Sequence, residues 1–216
     1  MRLQESLAAL RVDDRIPDVV LALEHEPVVT LGRRARNAHL LVSPDELARR
    51  GIAFEVSSRG GDVTYHGPGQ LVLYPILKLG EKEADAHGYL NNLEEIAIRT
   101  AASFGVTAHR RKGMSGAWTG AGKVAAIGFH IKRWVTLHGM SFNVAPDLGG
   151  FDLIVGCGLV GEQVASLKTE LGEACPGISD VRAMLLRHFG EVCQRPVVPG
   201  GEIPPLVADV LRNVVR

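Results

Sequence analysis

The chain has 216 residues, 46% hydrophobic and 22% charged, enough for one large or two small domains with a full core. Lys plus Arg equals Asp plus Glu at 24 each, which removes any global electrostatic reason to expect nucleic acid or an anionic membrane as partner and leaves only local patches open. No apolar run approaches the ~18 residues of a transmembrane helix, and the start MRLQESLAAL lacks the basic flank and long apolar stretch of a signal peptide, so the expected compartment is the cytoplasm.

In chain order, PDVVLALEH and PVVTLG read as two short buried strands split at Glu26-Pro27, and SPDELARRG as a short helix with Ser43 as N-cap and Gly51 as its stop. The Gly-rich stretch SSRGGDVTYHGPGQ leads directly into the strand QLVLYPILKL. From Ala86 to Phe104, the residues Leu90, Leu93, Ala97, Ala101 and Phe104 recur at three- and four-residue steps, the spacing of one buried helix face, and Gly105 ends it. GVTAHRR, SGAWTG, KVAAIGFHIKR and VTLHGMSFNV follow as short Val/Ile/aromatic segments between glycines, which predicts an antiparallel meander. An irregular stretch around Cys157 then gives way to two helices, ISDVRAMLLRHFGEV and PLVADVLRNVV. The Pro/Gly-rich QRPVVPGGEIPP between them can bound a small C-terminal lobe, 177–216, of a single domain over 1–216.

Three places invite chemistry. The Gly-rich stretch can be a long hairpin loop whose glycines supply positive φ angles. Its side chains point elsewhere: Arg59 beside Gly60-Gly61, then Tyr65-His66 and Gly67-Pro68-Gly69-Gln70, set bare backbone N–H groups next to a cation and an imidazole, which suits close approach of a ligand. GAWTGAGKVAA resembles a phosphate-binding loop, but Ala117 stands where the spacing needs Gly and Val124 where it needs Ser or Thr, so no magnesium ligand is present. Lys123 is then either a solvated strand-end lysine or an amine turned into a site at the head of an apolar strand. The cysteines, Cys157, Cys175 and Cys193, are odd in number and form no CxxC pair, which argues against a disulfide framework and a four-cysteine zinc site. Cys193 and Cys175 read as inert packing residues. Cys157 differs, because Gly156 and Gly158 expose its sulfur and free neighbouring N–H groups for an oxyanion. A thiol of ordinary pKa is only a few per cent thiolate at neutral pH, so catalysis there needs a nearby cation or base, and Lys123 and several histidines are available.

With these residues in view, the sequence closely resembles the lipoyl(octanoyl) transferase family. The resemblance runs from LALEHEPVVTLGRR through RGGDVTYHGPGQLVLYPIL, KVAAIGFHIKRWVTLHGMSFNV and PDLGGFDLIVGCGL to VASL. It implies an α/β (α+β) fold with a mixed, largely antiparallel sheet and flanking helices, like the catalytic domains of biotin and lipoate protein ligases. It also implies transfer of an octanoyl or lipoyl group from acyl carrier protein to the acceptor lysine of lipoyl domains of 2-oxoacid dehydrogenases and of glycine cleavage H protein, the first step of endogenous protein lipoylation. By motif, Cys157 would be the nucleophile that carries the acyl group as a thioester, and Lys123 the residue that lowers its pKa. Arg59, Gly60, Gly61, Asp62, Val63, Thr64, Tyr65 and His66, with Ala126, Ile127, Gly128, His138, Gly139 and Met140, would bind substrate. No cofactor or metal is implied, since the acyl group arrives activated on phosphopantetheine, and neither nucleic acid nor membrane is expected as partner.

The chain departs from the family pattern at Gly156 and Leu159 beside the nucleophile and at Ala165 in VASL. Relatives usually carry an additional strand and more helix before LQESLAAL, so a shortened sheet edge is expected. Two other functions share the loop: an ATP-dependent lipoate or biotin ligase, which needs no cysteine, and a non-enzymatic acyl-binding module, which needs no Lys/Cys pair.

Overall fold

The computed structural model describes residues 2–156, 161–198 and 204–214. Its larger sheet runs, edge to edge, β1 (Val19–Leu23), β5 (Gln70–Ile76), β9 (Val135–Asn143), β8 (Lys123–Lys132), β7 (Met114–Trp118) and β6 (His109–Arg111). Every neighbouring pair in it is antiparallel. A smaller sheet has the order β3 (Ala53–Val56), β2 (Val28–Leu31), β4 (Val63–His66), with β2 parallel to β3 and antiparallel to β4. The mixed, largely antiparallel architecture with flanking helices expected from sequence is therefore present. The two strands split at Glu26-Pro27 join different sheets, so the chain crosses between sheets at that point.

Six helices flank the sheets among the described residues: α1 (Arg2–Val12), α2 (Pro44–Arg49), α3 (Ala86–Ser103), α4 (Leu167–Leu171), α5 (Ile178–Val192) and α6 (Pro205–Val214). Ser43 caps α2, its hydroxyl accepting from the Glu46 N–H at 3.2 Å, and Gly51 after it takes φ +70°. Along α3, Leu93, Ile96, Ala97 and Ala101 are buried against Leu71, Leu73, Met140 and Phe142 of the sheet, while Leu90 and Phe104 are half-buried at the margin. Val181, Leu185 and Phe189 of α5 complete this main core. The opposite face of the larger sheet is covered at one end by α1 and α6, whose Leu7 and Val207 pack with Ile76, Val135 and Leu137. A third cluster, Val29, Leu47, Val63, Tyr65, Leu153 and Ile154, lies under the smaller sheet.

The sheets are joined where the Gly-rich loop lies on β8. The Gly60 N–H donates to the Phe129 carbonyl at 2.9 Å, and Gly128 leaves room for that approach: a Cβ on Gly128 would sit 2.9 Å from the Gly60 carbonyl oxygen. Two backbones meet with no side chain between them, which explains part of the glycine excess. Gly128→Ala should therefore destabilise the protein by about 1–3 kcal/mol, the usual cost of overpacking. Urea unfolding measures this, and a change below about 0.5 kcal/mol would mean that the loop does not bear on the strand.

Candidate active site

Facing residues of the two sheets enclose a cavity of ≈ 1480 Å³. Strand alternation decides which side chains reach it. On β4, Thr64 and His66 line the cavity, whereas Val63 and Tyr65 turn the other way into the third hydrophobic cluster, where the Tyr65 ring meets Phe151 edge-on at 5.5 Å. Of the expected binding segment from Arg59 to His66, all but Val63 and Tyr65 border the cavity. On β5, Val72 and Tyr74 line it, while Leu71 and Leu73 belong to the core beneath. Ala126, Ile127, Gly128, Gly139, Met140, Gly60, Gly61 and Asp62 all border the same space.

Lys123 opens β8 and is buried, 8% exposed, on the cavity wall. Its ammonium stands 4.6 Å from the centroid of the Trp118 ring, and among the described residues no carboxylate pairs with it. Its backbone is tied to the chain that follows Cys157: the Lys123 N–H donates to the Gln163 carbonyl at 2.9 Å, and the Ala165 N–H to the Lys123 carbonyl at 3.0 Å. On the other flank the Val155 N–H donates to the His39 carbonyl at 2.8 Å. Cys157 itself lies outside the described residues, as does Leu159. Cys193 is buried, with its thiol pushed up to about 11 by burial, and Cys175 is raised for the same reason, so both are packing residues rather than nucleophiles.

Arg59 does not project freely into the cavity. Its guanidinium donates to the Thr30 hydroxyl and carbonyl and to the Gly60 carbonyl, bracing the loop against β2. Asp62 serves the same loop, bonding His39 at 2.5 Å and the N–H groups of Arg36 and Val63. His66 heads a buried relay. Its Nδ1 meets Gln70 Oε1 at 2.5 Å; the Gln70 amide donates to Asn143 Oδ1 at 2.8 Å; the Asn143 amide donates to the Ala165 carbonyl at 2.9 Å. Because Gln70 spends its N–H groups on Asn143 and the Tyr65 carbonyl, its oxygen faces His66, so His66 carries its proton on Nδ1. Nε2 is then an acceptor with no hydrogen bond among the described residues.

His138 has an unusual placement. Met140, two residues on, packs in the main core, and alternation would send His138 the same way. Instead His138 takes φ +59°, and its ring turns into the cavity, edge-on to Tyr74 at 6.1 Å with Nε2 3.0 Å from the Ser58 hydroxyl. The Gln4 side chain of α1 accepts the His138 N–H at 2.7 Å and holds this left-handed backbone. Nothing in the spacing of the sequence signals Gln4 or Thr30, which tertiary packing alone brings to the site, whereas Ser58 and Trp118 lie within stretches that the sequence singles out for other residues.

Three histidines on the cavity wall, His25, His66 and His138, are held neutral. Burial, aided by the Arg59 charge, pushes both His66 and His138 down to about 4, and burial lowers His25, whose Nε2 meets the Tyr74 hydroxyl at 2.8 Å. Burial also raises the Tyr74 phenol to about 12. Among the described residues, the arrangement offers a buried cation without a carboxylate partner, neutral hydrogen-bond acceptors and stretches of apolar wall, a setting suited to a thiolate and a neutral amine.

Residues 1–190 match the lipoyl protein ligase A/B catalytic domain family. The chain is 49% identical over 193 residues to an octanoyltransferase of Chloroflexus aurantiacus, covering 88% of this chain and 86% of that one. The chain belongs to the octanoyltransferase family. An octanoyltransferase of Solibacter usitatus is 43% identical over 203 residues, covering 94% of this chain and 91% of the other. As a family member the chain is an acyltransferase. In fold it matches an ATP-bound lipoate-protein ligase A with a TM-score of 0.78 at 17% identity, over 98% of this chain and 88% of that one. The bipartite lipoate protein ligase of Thermoplasma acidophilum matches with a TM-score of 0.77 at 16% identity, over 98% and 86%. The shared lipoate-ligase fold is thus common to enzymes far apart in sequence.

Two outcomes follow from the buried groups. An unfolded chain takes up protons on these histidines near their ordinary pKa of ~6.5, whereas the folded chain holds His66 and His138 neutral down to about 4, so acidification across that window should lower stability. Urea midpoints at pH 7 and 5 test the sign; a midpoint that rises on acidification would contradict it. Gln4→Ala leaves the His138 N–H without its acceptor and should cost about 1–3 kcal/mol. Chemical denaturation of the variant reads this loss, and wild-type stability would show that Gln4 is not the brace.

Proposed function

We propose that the protein transfers an octanoyl group from the phosphopantetheine arm of an acyl carrier protein to the acceptor lysine of lipoyl domains, by way of a thioester on Cys157. The observation that carries this reading is the Lys123 ammonium, buried over Trp118 without a carboxylate partner among the described residues and tied through its backbone to the segment after Cys157. Such a cation stabilises an anion brought to it, and the thiolate of Cys157 is the anion that the chemistry needs.

The Cys157 thiolate attacks the octanoyl carbonyl; its carbon–sulfur bond forms as the bond to phosphopantetheine breaks, and the arm leaves as a thiol with a proton from the Lys123 ammonium, which is left as a neutral amine able to act as base in the second step. This exchange of one thioester for another is nearly neutral. The neutral ε-amine of the acceptor lysine then attacks, a carbon–nitrogen bond forms, and Cys157 is released as thiolate while Lys123 Nζ takes the amine proton. Amide formation makes the sequence downhill, with no ATP or metal required. His66 Nε2, held neutral and oriented by Gln70, accepts a hydrogen bond from the incoming amine. Leu21, Leu23 and Val72 supply apolar wall for the acyl chain, whose length is selected at ~0.8 kcal/mol per buried methylene. Curated relatives at 43–49% identity are octanoyltransferases, whereas the ATP-bound ligase is 17% identical, which favours transfer over ATP-dependent ligation.

Mixing the protein with octanoyl-carrier protein in the absence of ATP should add one octanoyl group by intact mass, and Cys157→Ser should abolish it. Acylation that persists in the variant, or that requires ATP, refutes the thioester route. Lys123→Ala should shift the pH profile of Cys157 alkylation to higher pH. An unchanged profile would remove Lys123 from the pair.

A further inference from the structure

The zero net charge of the chain hides a local concentration of cation at the cavity rim. Arg33, Arg34 and Arg36 are all exposed, and among the described residues no carboxylate pairs with any of them; the Arg33 guanidinium meets only His130 Nδ1, at 3.4 Å. Arg34 and Arg36 reach the rim of the cavity itself. Asp62, the carboxylate beside them, already serves His39 and the N–H groups of Arg36 and Val63.

These arginines sit on a built loop rather than a loose one. The N–H of Arg33 donates to the Arg59 carbonyl at 3.0 Å, that of Arg34 to the Gly61 carbonyl at 3.0 Å, and that of Gly32 to the Asp62 carbonyl at 3.0 Å. Gly32 is required for this clasp, since a Cβ there would lie 2.4 Å from the Gly61 oxygen. His39, next along, accepts from Val155, two residues before Cys157. The backbone that carries the three arginines is thereby fixed beside the chain that leads into the nucleophile. At the far end of β2 the rim is acidic instead, with Glu24 and Glu26 exposed and Glu24 accepting from the Gly69 N–H at 2.8 Å.

We propose that Arg33, Arg34 and Arg36 form the docking surface for the acidic face of the acyl-carrier donor, next to the phosphodiester that joins its pantetheine arm to the protein. The inference rests on the transfer reading above. The donor brings negative charge at every working pH, whereas the acceptor must bring an amine past the rim, and three guanidiniums carried on a fixed loop repel its cationic form. Complementary charge at a rim acts chiefly on encounter and is screened by salt.

The test compares wild type with Arg34→Glu/Arg36→Glu on three donors: octanoyl-carrier protein, octanoyl-phosphopantetheine and octanoyl-pantetheine, reading kcat/KM for Cys157 acylation by mass. The variant should lose about tenfold or more on the carrier protein, with a flattened salt dependence, and stay within about twofold on octanoyl-pantetheine. The latter also reports that the variant is folded, and Arg34→Lys/Arg36→Lys should retain most of the activity on carrier protein. Equal loss on all three donors, full loss already on octanoyl-phosphopantetheine, or a defect confined to transfer from acylated enzyme to a lipoyl domain would each overturn the docking assignment. A wild-type protein acylated by none of the donors would sink the transfer reading instead.

Discussion

Contact between two stretches of bare backbone holds the candidate site together. Gly60 reaches Phe129 across Gly128, with no side chain between the Gly-rich loop and the larger sheet, and the cavity exists because the smaller sheet is held at that separation. Around this contact the polar side chains act as braces. Arg59 grips Thr30, Asp62 grips His39, and the loop bearing Arg33 to Arg36 is clasped to the carbonyls of 59–62. A run of residues that looks made to seize a ligand spends most of its polar groups on itself, and what it presents to the cavity is shape.

Electrostatics then divide the interior from the rim. Burial keeps His66, His138 and His25 neutral, so the inner wall carries hydrogen-bond acceptors without charge. The Lys123 ammonium lies against Trp118 at the edge of this neutral zone, and Arg111, paired with Glu162, stands over the same ring at 4.3 Å. The relay from His66 through Gln70 and Asn143 to the Ala165 carbonyl connects the Gly-rich loop to the segment 163–165 that bridges to Lys123, so the two halves of the site share one hydrogen-bonded frame.

Much of the fold was legible from pattern. The 3.6-residue spacing in α3, the Ser43 cap of α2 and the glycine-bounded meander of β6 to β9 are local signals, and the structure obeys them. The assignment of β1 and β2 to separate sheets was not legible, because both read as short apolar strands and only their partners distinguish them. At the site, the motif brought Lys123 and the Gly-rich loop into view. It could not show that Val63 and Tyr65 turn away, nor that His138 breaks alternation, since both depend on which face of a strand is covered. Gln4, 134 residues from His138 in sequence, has no local signature at all.

The two anchors around the nucleophile segment have a consequence for assembly. Val155 is fastened to His39, beside the smaller sheet, and Gln163 to Lys123, at the head of a strand in the larger one. The chain between them is a tie whose ends belong to separately formed layers. Neither anchor can close until its own sheet is in place, so Val155 and Gln163, which flank Cys157 in sequence, are both fastened only after the most long-range parts of the fold have come together. On the transfer chemistry proposed above, reactivity of the thiol then becomes a marker of completed structure.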